Sequence, residues 1–281
     1  MSAPVSSVAD AQQIRELIVR MLQRAGSGHA GGPLGMADLF AVLYRQVLQH
    51  NPHRPQWEHR DRVVLSNGHT CPVLYATLAL HDYFPEEELW QLRRLHAELQ
   101  GHPHQKEAWG IETSSGPLGQ GVSQAVGMAV AAKFLHRKHH IYCFSSDGEH
   151  QEGQVWEAYL AGAKYAVDNM TILIDRNYTQ ISGVTEQVMP LDPLKDKISA
   201  FGWRVYEING HDHEAIFHAL QEAKADGEPS VIIAYTEPGH GVSFMEGKFS
   251  WHDYHASPAE ARRALNEVQS LDNTLENLHH D

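Results

Sequence analysis

Residues 141–182 read IYCFSSDGEHQEGQVWEAYLAGAKYAVDNMTILIDRNYTQIS, and this stretch decides the fold. Two short apolar runs, IYCFSS and MTILID, each end in a polar cluster, and residues 154–166 between them have the length of one helix. Strand, helix and strand in that order make a right-handed crossover that lays the strands side by side and parallel. Asp147 and Gly148 then follow the carboxyl end of the first strand, and Asp175 and Asn177 follow that of the second. Both clusters fall at the sheet edge where open α/β folds take ligands.

The residue types there suit a hard cation. Asp147 offers a carboxylate, Asn177 an amide oxygen and Thr179 a backbone carbonyl, the oxygens that Mg2+, or Ca2+ or Mn2+ in its place, prefers. Three protein ligands are too few for a closed cage, so the remaining positions suit a diphosphate. Gly148 lets the backbone approach a phosphate, and GPLGQG (116–121) leads into a helix N-terminus whose N–H groups also bind anions. Alone, Asp147–Gly148 reads more simply as a turn; paired with Asn177 across one crossover, it reads better as a ligand.

Working outward, the periodicity predicts a helix over 9–24 that ends at Gly26. The segment GSGHAGGPLG (26–35) is too glycine-rich for an element. Its GxGxxG pattern at Gly26, Gly28 and Gly31 follows a helix, whereas the dinucleotide fingerprint follows a strand, so it reads as a loop presenting His29. Helices over 36–48 and 72–80 flank a strand, 62–66, that runs into NGH and brings His69 to the same edge. A helix over 86–95 precedes a loop of functional length, 100–119, carrying His102. The helix over 122–138 shows a small-residue stripe of Ala125, Gly127, Ala129 and Ala132. Downstream come a helix over 193–201, strands over 204–208 and 231–236, and a helix capped by Asp212. Ser257, Pro258 and Glu260 form a capping box for a terminal helix. The expected class is α/β, a parallel sheet covered by helices on both faces. With no linker or repeat, residues 1–281 read as a single domain with a helical tail from about 257.

A formal charge of -13 argues against a nonspecific nucleic-acid partner. The absence of a signal-like start or a membrane-length apolar run predicts a cytoplasmic protein without membrane contact. Cys71 and Cys143 lie in or beside apolar segments and read as buried thiols. Histidine is unusually abundant, at 21 residues. His139, His140, His279 and His280 read as solvated side chains. His29, His69, His102 and His252 lie in loop contexts and are candidates for proton transfer or for holding hydroxyl or phosphate groups. Zinc is a weaker use of HPH (102–104), HDH (211–213) and HDYH (252–255), which lack the spacing of known zinc motifs.

Together, SGHAGGPLGMAD, DRVVLSNGH, GHP, GIETSSGPLGQG, SDGEHQEGQVWEA, DRNYTQISG and GHGVSFMEGKFSWH resemble the N-terminal half of a transketolase. The resemblance implies the diphosphate-binding domain of the thiamine diphosphate fold. It implies that Asp147, Asn177 and the Thr179 carbonyl hold the metal, and that Gly148 and the backbone of Gly116, Pro117 and Leu118 touch thiamine diphosphate. His29, His69, His102 and His252 would line the substrate channel, His69 and His252 also near the cofactor, and Glu152 would link paired active sites. The implied reaction moves a two-carbon ketol unit from a ketose phosphate to an aldose phosphate, as in pentose phosphate metabolism. The glutamate that activates the cofactor belongs to a following pyrimidine domain in this family, and the family also has split enzymes. The chain is therefore expected to be the first subunit of such an enzyme, inactive without a C-terminal partner subunit, in an α2β2 heterotetramer.

Four residues depart from the family pattern. Ser146 replaces the first glycine of GDG, Ala30 a proline after His29, His240 a common lysine, and Asp253 the glycine that usually follows His252. The alternatives are a non-catalytic or regulatory relative, the alpha subunit of another thiamine diphosphate enzyme, and a metal-dependent phosphohydrolase. The glycine loops disfavour the last, and SNGH and GIETSSGPLGQG disfavour the second.

Overall fold

The computed structural model describes residues 4–278. Its helices in chain order are α1 (Pro4–Ala25), α2 (Gly31–Gly35), α3 (Ala37–Val42), α4 (Cys71–Leu80), α5 (Gln120–Phe134), α6 (Gly153–Lys164), α7 (Thr185–Val188), α8 (Leu194–Ala200), α9 (His213–Ala225) and α10 (Pro258–Leu278). The strands are β1 (Arg62–Leu65), β2 (Ile141–Ser146), β3 (Met170–Arg176), β4 (Thr179–Gln180), β5 (Gly183–Val184), β6 (Arg204–Asn209) and β7 (Ser230–Tyr235). The main sheet is parallel, in the order β1-β2-β3-β7-β6; β4 and β5 form a small antiparallel pair.

Strands β2 and β3 are buried along their whole length, which explains their nearly continuous apolar sequence. The pleat sends alternate side chains to opposite faces. Tyr142, Phe144, Leu173 and Ile232 join one core with α1, α3, α4 and α9. Cys143, Ile172, Ile174 and Ile233 join the other with α5 and α6. Both cysteines are free and buried. The strand order reverses between β3 and β7, and such a switch point opens a crevice outside the carboxyl ends of the strands.

Several elements differ from the sequence reading. GGPLG forms the short helix α2 instead of open loop. Pro33 needs no N–H partner in a first turn, and the two outer glycines make room for backbone. A Cβ on Gly35 would lie 2.9 Å from the Glu237 carbonyl, and one on Gly31 3.2 Å from that of Trp251. The helix expected over 36–48 ends in a π-turn, Leu43–Val47. The one expected over 86–95 is a 3-10 segment, Glu86–Gln91, because Arg93 and His96 adopt left-handed backbone, at φ 61° and 65°. In α5, Gly127 faces outward, and the buried small stripe is Gly121, Ala125, Ala129 and Ala132. His140 is buried, its Nε2 2.8 Å from Thr171 Oγ1, and His139 is half-buried, so neither is the solvated side chain expected. His279 and His280 lie outside the described residues. Asp212 caps α9 through Glu214 N and Ala215 N, and Ser257 and Glu260 close their capping box at α10. No helix among the described residues is long and apolar enough to cross a membrane.

Candidate active site

Segments following β1, β2 and β3, together with those at 29–32, 102–118 and 252, enclose a cavity of about 400 Å³. His69 reaches it from the 3-10 turn Gly68–Thr70 after β1, and Gly148 from the turn after β2. Asn177 and Thr179 reach it from the chain leaving β3, where Tyr178 takes left-handed backbone at φ 58° and turns into the β4–β5 hairpin. Glu152, exposed at the N-terminus of α6, lines it as well, as do Gly116 and Leu118. Asp147 lies beneath, with no exposed surface. Pro117 sits exposed between two lining neighbours.

The four histidines gather at one side. Ring centroids separate His29 from His69 by 5.0 Å, from His252 by 5.3 Å and from His102 by 6.4 Å, and His69 from His252 by 5.1 Å. Burial and the neighbouring rings hold His69 well below the usual histidine range. The same causes bring His29 to about 4 against the opposing pull of Asp253. Burial also lowers His102 and His252. At neutral pH all four are neutral imidazoles, each able to donate one hydrogen bond and accept another.

Asp147 is held from several directions. Its Oδ1 accepts from Gly148 N (2.8 Å), while Oδ2 accepts from Tyr178 N (2.8 Å), Thr185 Oγ1 (3.3 Å) and Arg176 Nη1 (3.2 Å). Burial raises its pKa to about 6 even so. Asn177 Oδ1 accepts from Thr179 N, and its Nδ2 donates to Asp175 Oδ2 at 2.6 Å.

Three residues without a role in the sequence reading complete this floor. Asp175 lines the cavity, contacts Thr236 across the switch point, and is raised to about 7 by burial. Arg176 is buried, bridging Asp147 to Glu186 (2.6 Å) and Asp192 (3.1 Å), its guanidinium 4.0 Å from the Tyr178 ring centroid. Glu149 ties three loops together by accepting from Ser66 Oγ (2.7 Å), Gly119 N (2.6 Å) and Ser146 N (3.2 Å); burial raises it to about 7. The available signal was a charge directly beside an assigned ligand, Arg176 before Asn177 and Glu149 after Gly148.

The site can be tested against a metal diphosphate. The donors beside the cavity are oxygens of a carboxylate, an amide and a carbonyl, the chemistry a magnesium-class ion takes. A Cβ on Gly148 or Gly116 would meet nothing closer than Gln180 at 3.9 Å or His102 at 3.8 Å, both lining residues, so the glycines leave a cradle that a side chain would fill. His29 Nδ1, on a ring that lines the cavity, is buried with no partner among the described residues, as expected where a polar ligand supplies one. The residues fit such a group.

The family pattern described as "Transketolase, thiamine diphosphate binding domain" matches residues 6–272. The chain is 42% identical over 260 residues to the 6-deoxy-6-sulfo-D-fructose transketolase subunit SqwG of Clostridium sp. (strain MSTE9), covering 92% of this chain and 94% of that one. It is 38% identical over 263 residues to an apulose-4-phosphate transketolase subunit of Phocaeicola vulgatus, covering 93% of each. Against transketolase 1 of Escherichia coli it is 38% identical over 273 residues, 92% of this chain but 41% of the longer protein. The crystal structure of Campylobacter jejuni transketolase superposes with a TM-score of 0.90 at 37% identity, over 96% of this chain and 43% of that one.

Proposed function

The chain belongs to the transketolase family, and from that premise we propose that it is the cofactor-binding subunit of a split transketolase. The observation that carries this reading is one cavity joining the oxygen donors at Asn177 and Thr179 to four neutral histidines. The relatives that it matches along nearly their whole length are named as transketolase subunits, which supports the split arrangement. Thiamine diphosphate, when bound, supplies the electron sink that lets a two-carbon ketol unit leave a ketose.

The chain's own residues bind and orient. Asp147, Asn177 and the Thr179 carbonyl would hold Mg2+, with Ca2+ or Mn2+ as substitutes. The backbone of Gly116, Pro117 and Leu118, with Gly148, would receive the diphosphate, and His69 and His252 border it. His29, His69, His102 and His252 take hydrogen bonds from sugar hydroxyls and move protons near the reacting carbons. Glu152, exposed at the cavity wall, is suited to link paired sites across an interface. The activating glutamate comes from a C-terminal subunit in an α2β2 assembly. Exposed Ile181 in the cavity wall, with exposed Val188 and Met189 beyond the adjoining β4–β5 hairpin, gives that partner an apolar face. The substrates are sugar phosphates or ketoses with a comparable anionic end, and two buried free thiols suit a cytoplasmic setting.

The test is to purify the chain with and without a co-expressed C-terminal subunit, add thiamine diphosphate and Mg2+, and assay two-carbon transfer from ketose phosphates. Activity is expected only from the pair, and Asp147→Ala should abolish Mg2+-dependent cofactor binding in calorimetry. Turnover by the chain alone would refute the split arrangement, and undiminished binding by the variant would refute the anchor.

A further inference from the structure

Asp253, exposed beside His252, turns its carboxylate toward the histidine cluster. Its Oδ1 lies 3.1 Å from His29 Nε2. The main chain sets that spacing: residues 29 and 253 form an antiparallel bridge, Tyr254 N donates to Gly28 O, and Ala30 N donates to His252 O. One ligand atom each from His29, His252 and Asp253 lies within 4.8 Å of the other two. Around a tetrahedral ion with bonds near 2.1 Å, neighbouring ligand atoms are about 3.4 Å apart. The His29–Asp253 edge therefore already has nearly the right length, and closing the third side takes a side-chain movement.

We propose that His29, His252 and Asp253 form a transition-metal site separate from the Asp147 anchor, and that a zinc-class ion bound there blocks the sugar channel. The blocking role rests on the proposed function, in which His29 and His252 line that channel; the binding itself does not. Two imidazoles and a carboxylate favour zinc-class ions over magnesium, which demands oxygens. Three protein ligands leave a fourth position open. Both histidines are neutral at pH 7, so no proton need leave to free a ligand nitrogen. Among the charged groups facing them, Arg93 opposes a cation and the Asp253 carboxylate offsets it.

The other histidine–aspartate cluster, Asp38 with His211 and His240, lacks these features. There Glu237 N donates to His211 Nε2 at 2.8 Å while the ring's Nδ1 lies 2.7 Å from Asp38 Oδ2, so that histidine has no free lone pair for a metal.

The proposal is tested on the assembled enzyme, loaded with thiamine diphosphate and excess Mg2+, by titrating with Co2+ and following its visible absorption. One Co2+ per chain is expected with a tetrahedral-type band, displaced by Zn2+, and Zn2+ should inhibit turnover competitively with the ketose. Asp253→Ala, at an exposed position, should fold, turn over, and bind Co2+ at least tenfold more weakly. Equal Co2+ affinity in wild type and variant, or no such band in wild type, overturns the site. A band without Zn2+ inhibition overturns the channel block. Binding is read without turnover, so failure of the transketolase reading shows instead as absent ketol transfer in enzyme loaded with thiamine diphosphate and Mg2+ before any Co2+ or Zn2+ is added.

Discussion

At the scale of single residues, His140 sets a pH dependence for folding. Burial, helped by nearby Lys224, lowers its pKa to about 3 in the folded chain, against about 6.5 when unfolded. Between these values the unfolded chain binds the proton and the folded chain does not. Stability is therefore full above pH 6.5 and falls as pH drops toward 3. From pH 6.5 to 5 the loss from this one group is on the order of 2 kcal/mol. His140→Gln, which keeps a partner for Thr171, should flatten that slope when denaturant unfolding is compared at the two pH values; an unchanged slope would mean that other groups set it. The same scale separates what the sequence discloses from what it hides. That Asp147 and Asn177 come to one edge of the sheet could be read because each follows an apolar run at a fixed step. Asp175, Arg176 and Glu149 could not, since their value lies in contacts with residues such as Thr236, Asp192 and Ser66 that only folding supplies. His140 misleads because its neighbours in HRKHH are polar while its own side chain opens β2 from inside the sheet.

Among the elements, the junction of α5 with β1 positions the glycine loop. Gly121 packs so closely on the end of β1 that a Cβ would come within 2.5 Å of Ser66 Cα, which is backbone and has little room to retreat. Ser66 and Gly119 both donate to Glu149, so a shift of α5 pulls on the turn that carries Gly148. Gly121→Ala is expected to cost about 1–3 kcal/mol through overpacking, read as a lower thermal midpoint, and to weaken diphosphate binding. Retained stability and binding together would show that the junction yields. Strand boundaries were legible here to within about a residue, because β2 and β3 are buried on both faces and read as apolar runs. The 86–95 and 36–48 segments were not, because their departures depend on left-handed residues and on packing that no periodicity records.

Across the whole molecule, α10 returns the C-terminal part of the chain to α1. Gln12 Nε2 donates to Val268 O at 3.0 Å, and Ala261, Ala264 and Val268 are fully buried. Removing residues from 258 onward should uncover the apolar face of α1, cost on the order of a few kcal/mol of stability, and so lower the thermal midpoint. Circular dichroism melting checks this, and an unchanged midpoint would make α10 a passenger. The Arg176 bridge bears on the charge of the molecule as a whole. One guanidinium faces the carboxylates of Asp147, Glu186 and Asp192, leaving a surplus of two negative charges in a chain that is already acidic. An ion of charge +2 at Asp147 cancels that surplus, whereas a sodium or potassium ion cancels half of it. In the proposed anchor, that surplus would favour a divalent over a monovalent ion, with Glu186 and Asp192 contributing through Arg176 rather than by touching the ion.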